Sequence, residues 1–238
     1  MRLHQLALVA ESLEPVVATL CEQLGIEVAY RDPGVAIFGL ENAVMPVGET
    51  FLEVVSPEKV GTTAGRYLER RGGDGGYMVI LTVDDLAPHR DRAAAQGVRI
   101  AWEGGIPATP ESPAAWEGIH LHPGDTGGAI LSFDRPDPPD TWIAAGLHWR
   151  DHVRTEVVQE LCVAELQSDD PERLAAHWSA ILGKPCDGNE IALDRGRLRF
   201  VRATDGRPEG LGAIEIRATD RARAGHAFEA GGVRFRLV

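Results

Sequence analysis

Four stretches of this chain are variations on one theme, and that repetition restricts the fold more than any other feature of the sequence. LALVAESLEPVVATLCEQLGIEVAY, VILTVDDLAPHRDRAAAQGVRIAW and LCVAELQSDDPERLAAHWSAILGKP each read as strand, helix cap, helix, glycine stop and new strand. GAIEIRATDRARAGHAFEAGGVRFRLV is a weaker fourth copy that ends at Val238. In the first three, Ser12 to Gly25, Asp84 to Gly97 and Asp170 to Gly183 are each 13 positions apart. Ser or Asp supplies an acceptor for the free N–H groups at a helix start. Pro15, Pro88 and Pro171 fall in the first turn, where a missing N–H costs little. Glycine then takes the left-handed conformation that stops the helix.

Further strand-like runs follow each copy: 35–40, 43–47 and 51–55 after the first, 118–122 and 128–133 after the second, 190–194 and 197–203 after the third. The unit is therefore β-α-β-β-β, about 50–60 residues long. Thr62 to Arg71 reads as a short extra helix, and the glycines of GGDGG (72–76) as a flexible joint. The proline- and acid-rich RPDPPD (135–140) marks a linker. The expectation is an α+β protein of tandem β-α-β-β-β units forming curled mixed sheets. A first domain spans 1–135, a linker 136–156 and a second domain 157–238, the last incomplete because its final unit has no room for two more strands. Trp142, His148, Trp149 and His152 lie in the linker and are expected to pack it onto a sheet.

Composition removes several functions. With 24 basic and 36 acidic residues the formal charge is −12, which argues against a general binder of nucleic acid or of an anionic membrane. No apolar run is long enough to span a bilayer, and the N-terminus lacks the apolar core of a signal peptide. Cys21, Cys162 and Cys186 are too few and too scattered for a disulfide framework or a thiolate zinc site, so a reducing cytoplasm is expected. GGDGG lacks the strand-to-helix setting of a phosphate loop, and no GxSxG elbow occurs.

Paired β-α-β-β-β units resemble the vicinal oxygen chelate superfamily of glyoxalases, bleomycin-resistance proteins, extradiol dioxygenases and epimerases. LEVVSP (52–57) before the AGRYLERRGG helix, the strand ending in VDDL (83–86) and HPGDTGG (122–128) are most similar to methylmalonyl-CoA epimerase-type proteins. The resemblance implies a cup in each pair of units and a divalent metal held by four inward side chains. Carried across, those positions fall on Gln5, Glu53, Met78 and Ser132. Only Glu53 is an ordinary ligand for a hard cation, and Gln5 a weak one. The resemblance thus implies an altered or lost metal site and leaves the cofactor open. A one-residue slip of the first strand would turn His4 inward and offer His4, Gln5, Glu53 and His120 as a rearranged set.

Chemistry is expected in the more complete first half. Glu53, between apolar neighbours in FLEVV, is the candidate general base, its pKa rising if it faces a dry pocket and not if it faces water. His120 and His122 share a strand face and are candidate acid–base partners or ligands, against the alternative of a sheet residue and a turn cap. Gln5, Met78 and Ser132 are candidate substrate contacts. Arg66, with Arg70 and Arg71, would hold an anionic group or form a solvated helix face. Three functions remain: a lyase or isomerase of the glyoxalase or epimerase type, a metal-free protein sequestering a small ligand as bleomycin-resistance proteins do, and a scaffold or homo-oligomer pairing through an open sheet edge.

Overall fold

The computed structural model describes residues 1–110 and 114–238. The first half runs β1 (Arg2–Val9), α1 (Leu13–Leu24), a 3-10 helix (Pro33–Phe38), β2 (Leu40–Val47), β3 (Thr50–Pro57), α2 (Thr63–Arg71), β4 (Gly75–Thr82), α3 (Ala87–Ala95), β5 (Ile100–Ile106), β6 (Ala115–Leu121), the single turn α4 (Pro123–Thr126) and β7 (Ile130–Asp137). The connector holds 3-10 turns at Ile143–Ala145 and Trp149–His152. The second half runs β8 (Val158–Ser168), α5 (Pro171–Leu182), β9 (Glu190–Ala192), β10 (Arg197–Arg202), β11 (Gly210–Ala218), a 3-10 turn at Arg221–Arg223, β12 (Ala227–Ala230) and β13 (Val233–Leu237). No described helix is long and apolar enough to cross a membrane.

The strands form two mixed sheets, ordered β2-β3-β1-β4-β7-β6-β5 and β12-β13-β11-β8-β10-β9. Their centres follow one scheme. In the first sheet β1 runs parallel to β3 and antiparallel to β4, which runs parallel to β7. In the second, β8 stands likewise to β10 and β11, and β11 to β13. The second sheet has six strands to the first sheet's seven. The last unit keeps its final hairpin, β12–β13, and replaces its helix by the turn at Arg221–Arg223. Of residues 35–40, expected as a strand, 35–39 form the end of the 3-10 helix and its glycine stop, because Asp32 caps the turn by accepting from the Gly34 N–H, and only Leu40 is in a strand. Of the expected cap residues, Asp170 accepts from Arg173 N–H, Ser12 makes no side-chain cap bond, and Asp85 rather than Asp84 accepts from the Ala87 N–H.

The helices explain how the sheets meet. Alternate residues of each strand, such as Leu6, Leu8, Leu52, Val54, Val79 and Leu131 in one sheet and Leu166, Leu198, Phe200 and Ile214 in the other, join α1 and α5 in one shared core. The sheets therefore stand back to back, and their remaining faces point away from each other. Two arginines clasp the halves. Arg71 donates to the Pro208 carbonyl (2.6 Å), and Arg207 donates to the carbonyls of Gly232 (2.9 Å) and Asp74.

GGDGG is not a free joint. Gly72 stops α2 with φ of 74°, while Gly75 and Gly76 open strand β4. At Gly76 a Cβ would lie 2.4 Å from the Leu211 carbonyl oxygen of the second sheet. Gly76→Ala is expected to cost about 1–3 kcal/mol, measured by urea unfolding, because backbone must move on both sides of the contact. An unchanged midpoint would mean that the two sheets do not pack this closely.

Candidate functional site

Register alone sets one face of the first sheet. Ala7 pairs with both Glu53 and Met78, Gln5 pairs with Ile80, and Ile80 pairs with Ser132. Residues two apart share a face, so Gln5, Glu53, Met78 and Ser132 all line the same side. His120 pairs with Ser132 and joins them. Continuing two residues along β7 and β4 adds Asp134 and Thr82, which pair with each other.

This face is covered at both ends. At one, Val9, Val55, Tyr77 and Ile130 pack under Ala64 and Leu68 of α2. At the other, Val44, Phe51 and Ile80 pack under Trp142, Ala145 and Trp149 of the connector. The linker is thus a plug on the sheet, and Met78 touches both clusters. Aromatic rings form the roof. Phe38, from the 3-10 helix beside one edge strand, meets Trp102 on the opposite edge strand at 5.8 Å. Trp102 stacks on Trp116 at 5.7 Å and lies 4.5 Å from the His120 ring.

Glu53, on this face, is 7% exposed. Its two oxygens accept from Gln5 Nε2 (2.8 Å) and Asn42 Nδ2 (2.6 Å). Burial pushes its pKa up to about 6, the Asn42 and Gln5 bonds oppose this, and the nearby Asp32 charge adds to it. Asn42 Oδ1 in turn accepts from the Asp32 N–H at 2.7 Å, and Trp142 donates to Gln5 Oε1 at 2.7 Å. Glu53 is therefore linked through Asn42 to the Asp32 backbone on one side and through Gln5 to the connector on the other.

Asp134 is the second buried carboxylate. It accepts from the Ser132 hydroxyl and from Trp116 Nε1, the latter at 2.7 Å. Burial raises its pKa to about 7, against those two bonds, and the Glu53 charge adds to the rise. Burial alone lowers His120 to about 4, so that ring is neutral at pH 7.

Other sequence candidates lie elsewhere. His122 caps α4 by accepting from the Gly124 N–H, outside the cup and apart from His120. Arg66 bonds Gly61 and Thr63 at the start of its own helix on the exposed surface, and Arg71 is spent on the inter-half clasp. His4 sits at an irregularity of β1 between Leu3 and Gln5. Its ring packs on Trp142 (4.4 Å) and Phe51 (5.2 Å), in the connector cluster at one end of the same face, and burial lowers its pKa to about 3. Asp134, Asn42 and Thr82 went unread in the sequence. Asp134 carried a usable signal, since it is two residues beyond Ser132 on the same strand face.

The metal implied by the family resemblance does not fit these residues. Gln5 and Asn42 occupy the Glu53 oxygens with N–H groups, Gln5 Oε1 is taken by Trp142, and Ser132 donates to Asp134. Met78 offers only a thioether. Among the described residues no three His, Cys, Asp or Glu side chains are grouped to hold a metal ion, so His4, Gln5, Glu53 and His120 do not assemble as a set.

The second sheet carries different residues at the equivalent backbone positions. Glu165 pairs with Arg199 and Ala213 where Ala7 pairs with Glu53 and Met78, and Arg236 takes the place of Ser132. Arg199 lies 2.7 Å from Glu190, 2.8 Å from Glu215 and 3.4 Å from Glu165. Arg236 bonds Glu215 and Arg234 bonds Glu165. This open face is a lattice of ion pairs.

Comparison with known proteins agrees with this architecture. Residues 4–182 match the family model of the Glyoxalase-like domain. No curated protein sequence matches the chain. Among solved structures, a hypothetical protein from Staphylococcus aureus overlays with a TM-score of 0.71 at 11% identity, covering 100% of this chain and 98% of that one. A methylmalonyl-CoA epimerase from Mycobacterium tuberculosis overlays at 0.47 and 20% identity, covering 57% of this chain and 87% of its own. A Streptomyces coelicolor epimerase variant in complex with 2-nitronate-propionyl-CoA gives 0.47 and 16%, covering 57% and 96%. The first overlay shows the fold, and the two partial ones are too loose to carry a residue role.

Proposed function

The chain belongs to the glyoxalase-like family, and from that premise we propose that it binds a small molecule in the roofed cup of its first half and moves a proton there with Glu53, without a metal. The observation that carries this is the setting of Glu53: a buried carboxylate with no cationic partner among the described residues, raised to about 6 and held in place by two carboxamides. A base poised near neutral pH, fixed in orientation and kept from water suits abstraction of a proton beside a carbonyl. Gln5 and Asn42 orient it, and Met78 and the roof rings supply an apolar bed. This is chemistry of the lyase or isomerase kind.

The test is solvent deuterium exchange, followed by NMR in the presence of chelator, across acyl thioesters, 2-oxo acids and hydroxyketones. The wild-type protein should label the carbon next to the carbonyl of at least one class at a rate that rises through pH 6. Glu53→Gln should lower that rate by about 100-fold or more. An equal rate in the variant, or no labelling of any class, would overturn the catalytic reading. The second reading, sequestration of a ligand without turnover, is favoured by one feature, the Phe38–Trp102 contact that closes the roof. It expects binding with no exchange.

A further inference from the structure

We propose that the cup recognises an organic cation, a primary ammonium group carried on an apolar or aromatic body, seated between Asp134, Thr82 and the Trp102–Trp116 stack. The inference rests on the reading of the cup as a ligand site and names the class of ligand it takes.

The argument begins with charge. Buried carboxylates are ordinarily paired with a cation, because desolvating an unpaired charge is costly. Glu53 and Asp134 are buried on one face, and the Glu53 charge acts on Asp134. Among the described residues, no Arg or Lys bonds either of them; their partners are Gln5, Asn42, Ser132 and Trp116. This is a chain with 24 basic residues, and the other sheet pairs its inward glutamates with arginines at every turn. The first cup holds the acids and leaves out the base.

A second observation is independent of the acids. Thr82 is 1% exposed and its hydroxyl has no hydrogen-bond partner. It pairs in register with Asp134 and so faces the same cup. An ammonium group brings three N–H donors, and a free hydroxyl oxygen beside a carboxylate accepts two of them. The rings complete the setting. The Trp116 indole is bonded to Asp134 and stacked on Trp102, so a cation at Asp134 meets an aromatic wall. Entry requires the Pro33–Phe38 segment to lift. That segment buries none of its own side chains, with Ile37 72% and Phe38 41% exposed, so little apolar burial is lost on opening. An ammonium at Asp134 draws that carboxyl below its raised value and leaves Glu53 for the proton transfer.

The probe is 2-phenylethylamine, protonated at pH 7, against its uncharged isostere 2-phenylethanol. Binding is followed by tryptophan fluorescence and by calorimetry in phosphate and in Tris. The amine is expected to bind about ten-fold or more tightly than the alcohol and to release a fraction of a proton on binding. Asp134→Asn should remove the preference, and Thr82→Val should weaken the amine alone by several-fold; thermal melts check that both variants are folded. Equal affinity for the two probes, no binding of either, no proton release, or a preference for Mn²⁺ or Zn²⁺ over the amine would each overturn the inference. Failure here with deuterium exchange retained removes only the ligand class. Selectivity retained without exchange removes only the catalytic reading.

Discussion

Replacing Trp178 with alanine is expected to lower stability by about 3–5 kcal/mol and to loosen both halves in one transition. Trp178 is fully buried on α5, and its ring meets Phe200 at 5.9 Å. Its N–H reaches across to the first half, to the carbonyls of Thr126 (3.0 Å) and Gly127 (3.1 Å). The substitution therefore empties a large volume in the shared core and strands two acceptors at the end of α4. Trp178→Phe keeps most of the ring and loses the bonds, so a smaller cost, about 1–2 kcal/mol, is expected. Urea unfolding followed by both far-ultraviolet circular dichroism and tryptophan fluorescence decides the matter. Coincident curves are expected, since the backs of both sheets lie in one core. Two separated transitions would show that the halves are independent.

The second large effect is one of pH. Asp134 is raised from the usual 3.8 to about 7 and Glu53 from 4.5 to about 6, in both cases chiefly by burial. A raised acid binds its proton more tightly in the folded state. Its contribution is fully present below the unfolded pKa and is lost as pH rises through the folded one. These two groups therefore make the protein less stable between about pH 4 and 7 going upward. His120 and His4, lowered by burial, act in the other sense and cost stability as pH falls below 6.5. Asp134→Asn isolates the first effect, because an asparagine oxygen still accepts from Trp116 and its amide donates to Ser132. The variant should gain on the wild type by about 2–3 kcal/mol between pH 5 and 8. A difference that stays flat across that range would mean that Asp134 is ionised throughout.

The outline of the fold was legible because the repeat is written in local chemistry. Pro171 and Gly183 bracket α5 where cap and stop residues place it, and the alternation in 43–47 and 51–55 marks β2 and β3. The failures have a common physical cause. Residues 35–40 are apolar enough for a strand, yet the Asp32 cap bends them into a turn whose Phe38 is used in the roof. In the last unit, given only as a weaker copy of the repeat, Arg221–Arg223 make a single turn before β12 begins where a full copy has a helix. The cup was half legible. Gln5, Glu53, Met78 and Ser132 fall on one face because strand periodicity is local. The bonds of Gln5 to Trp142, 137 positions away, and of Glu53 to Asn42 depend on which strands become neighbours, and no window of sequence contains that.

The matching backbone positions of the two sheets are not under the same constraints. A repeated scaffold carries most backbone addresses twice, and under the proposed function only the first copy needs the residues of the cup. At the address of Glu53 the second sheet has Arg199, the hub on which three glutamates converge. That hub is also a lock. Arg199→Glu, which would place the first sheet's residue at this position, would leave a fourth acid among three with no hub between them. Arg234, Arg236 and Arg197 would still pair with Glu165, Glu215 and Glu190, yet none of them joins all three. The ion pairs themselves thus constrain which substitutions this face accepts, and its electrostatics keep it unlike the first face.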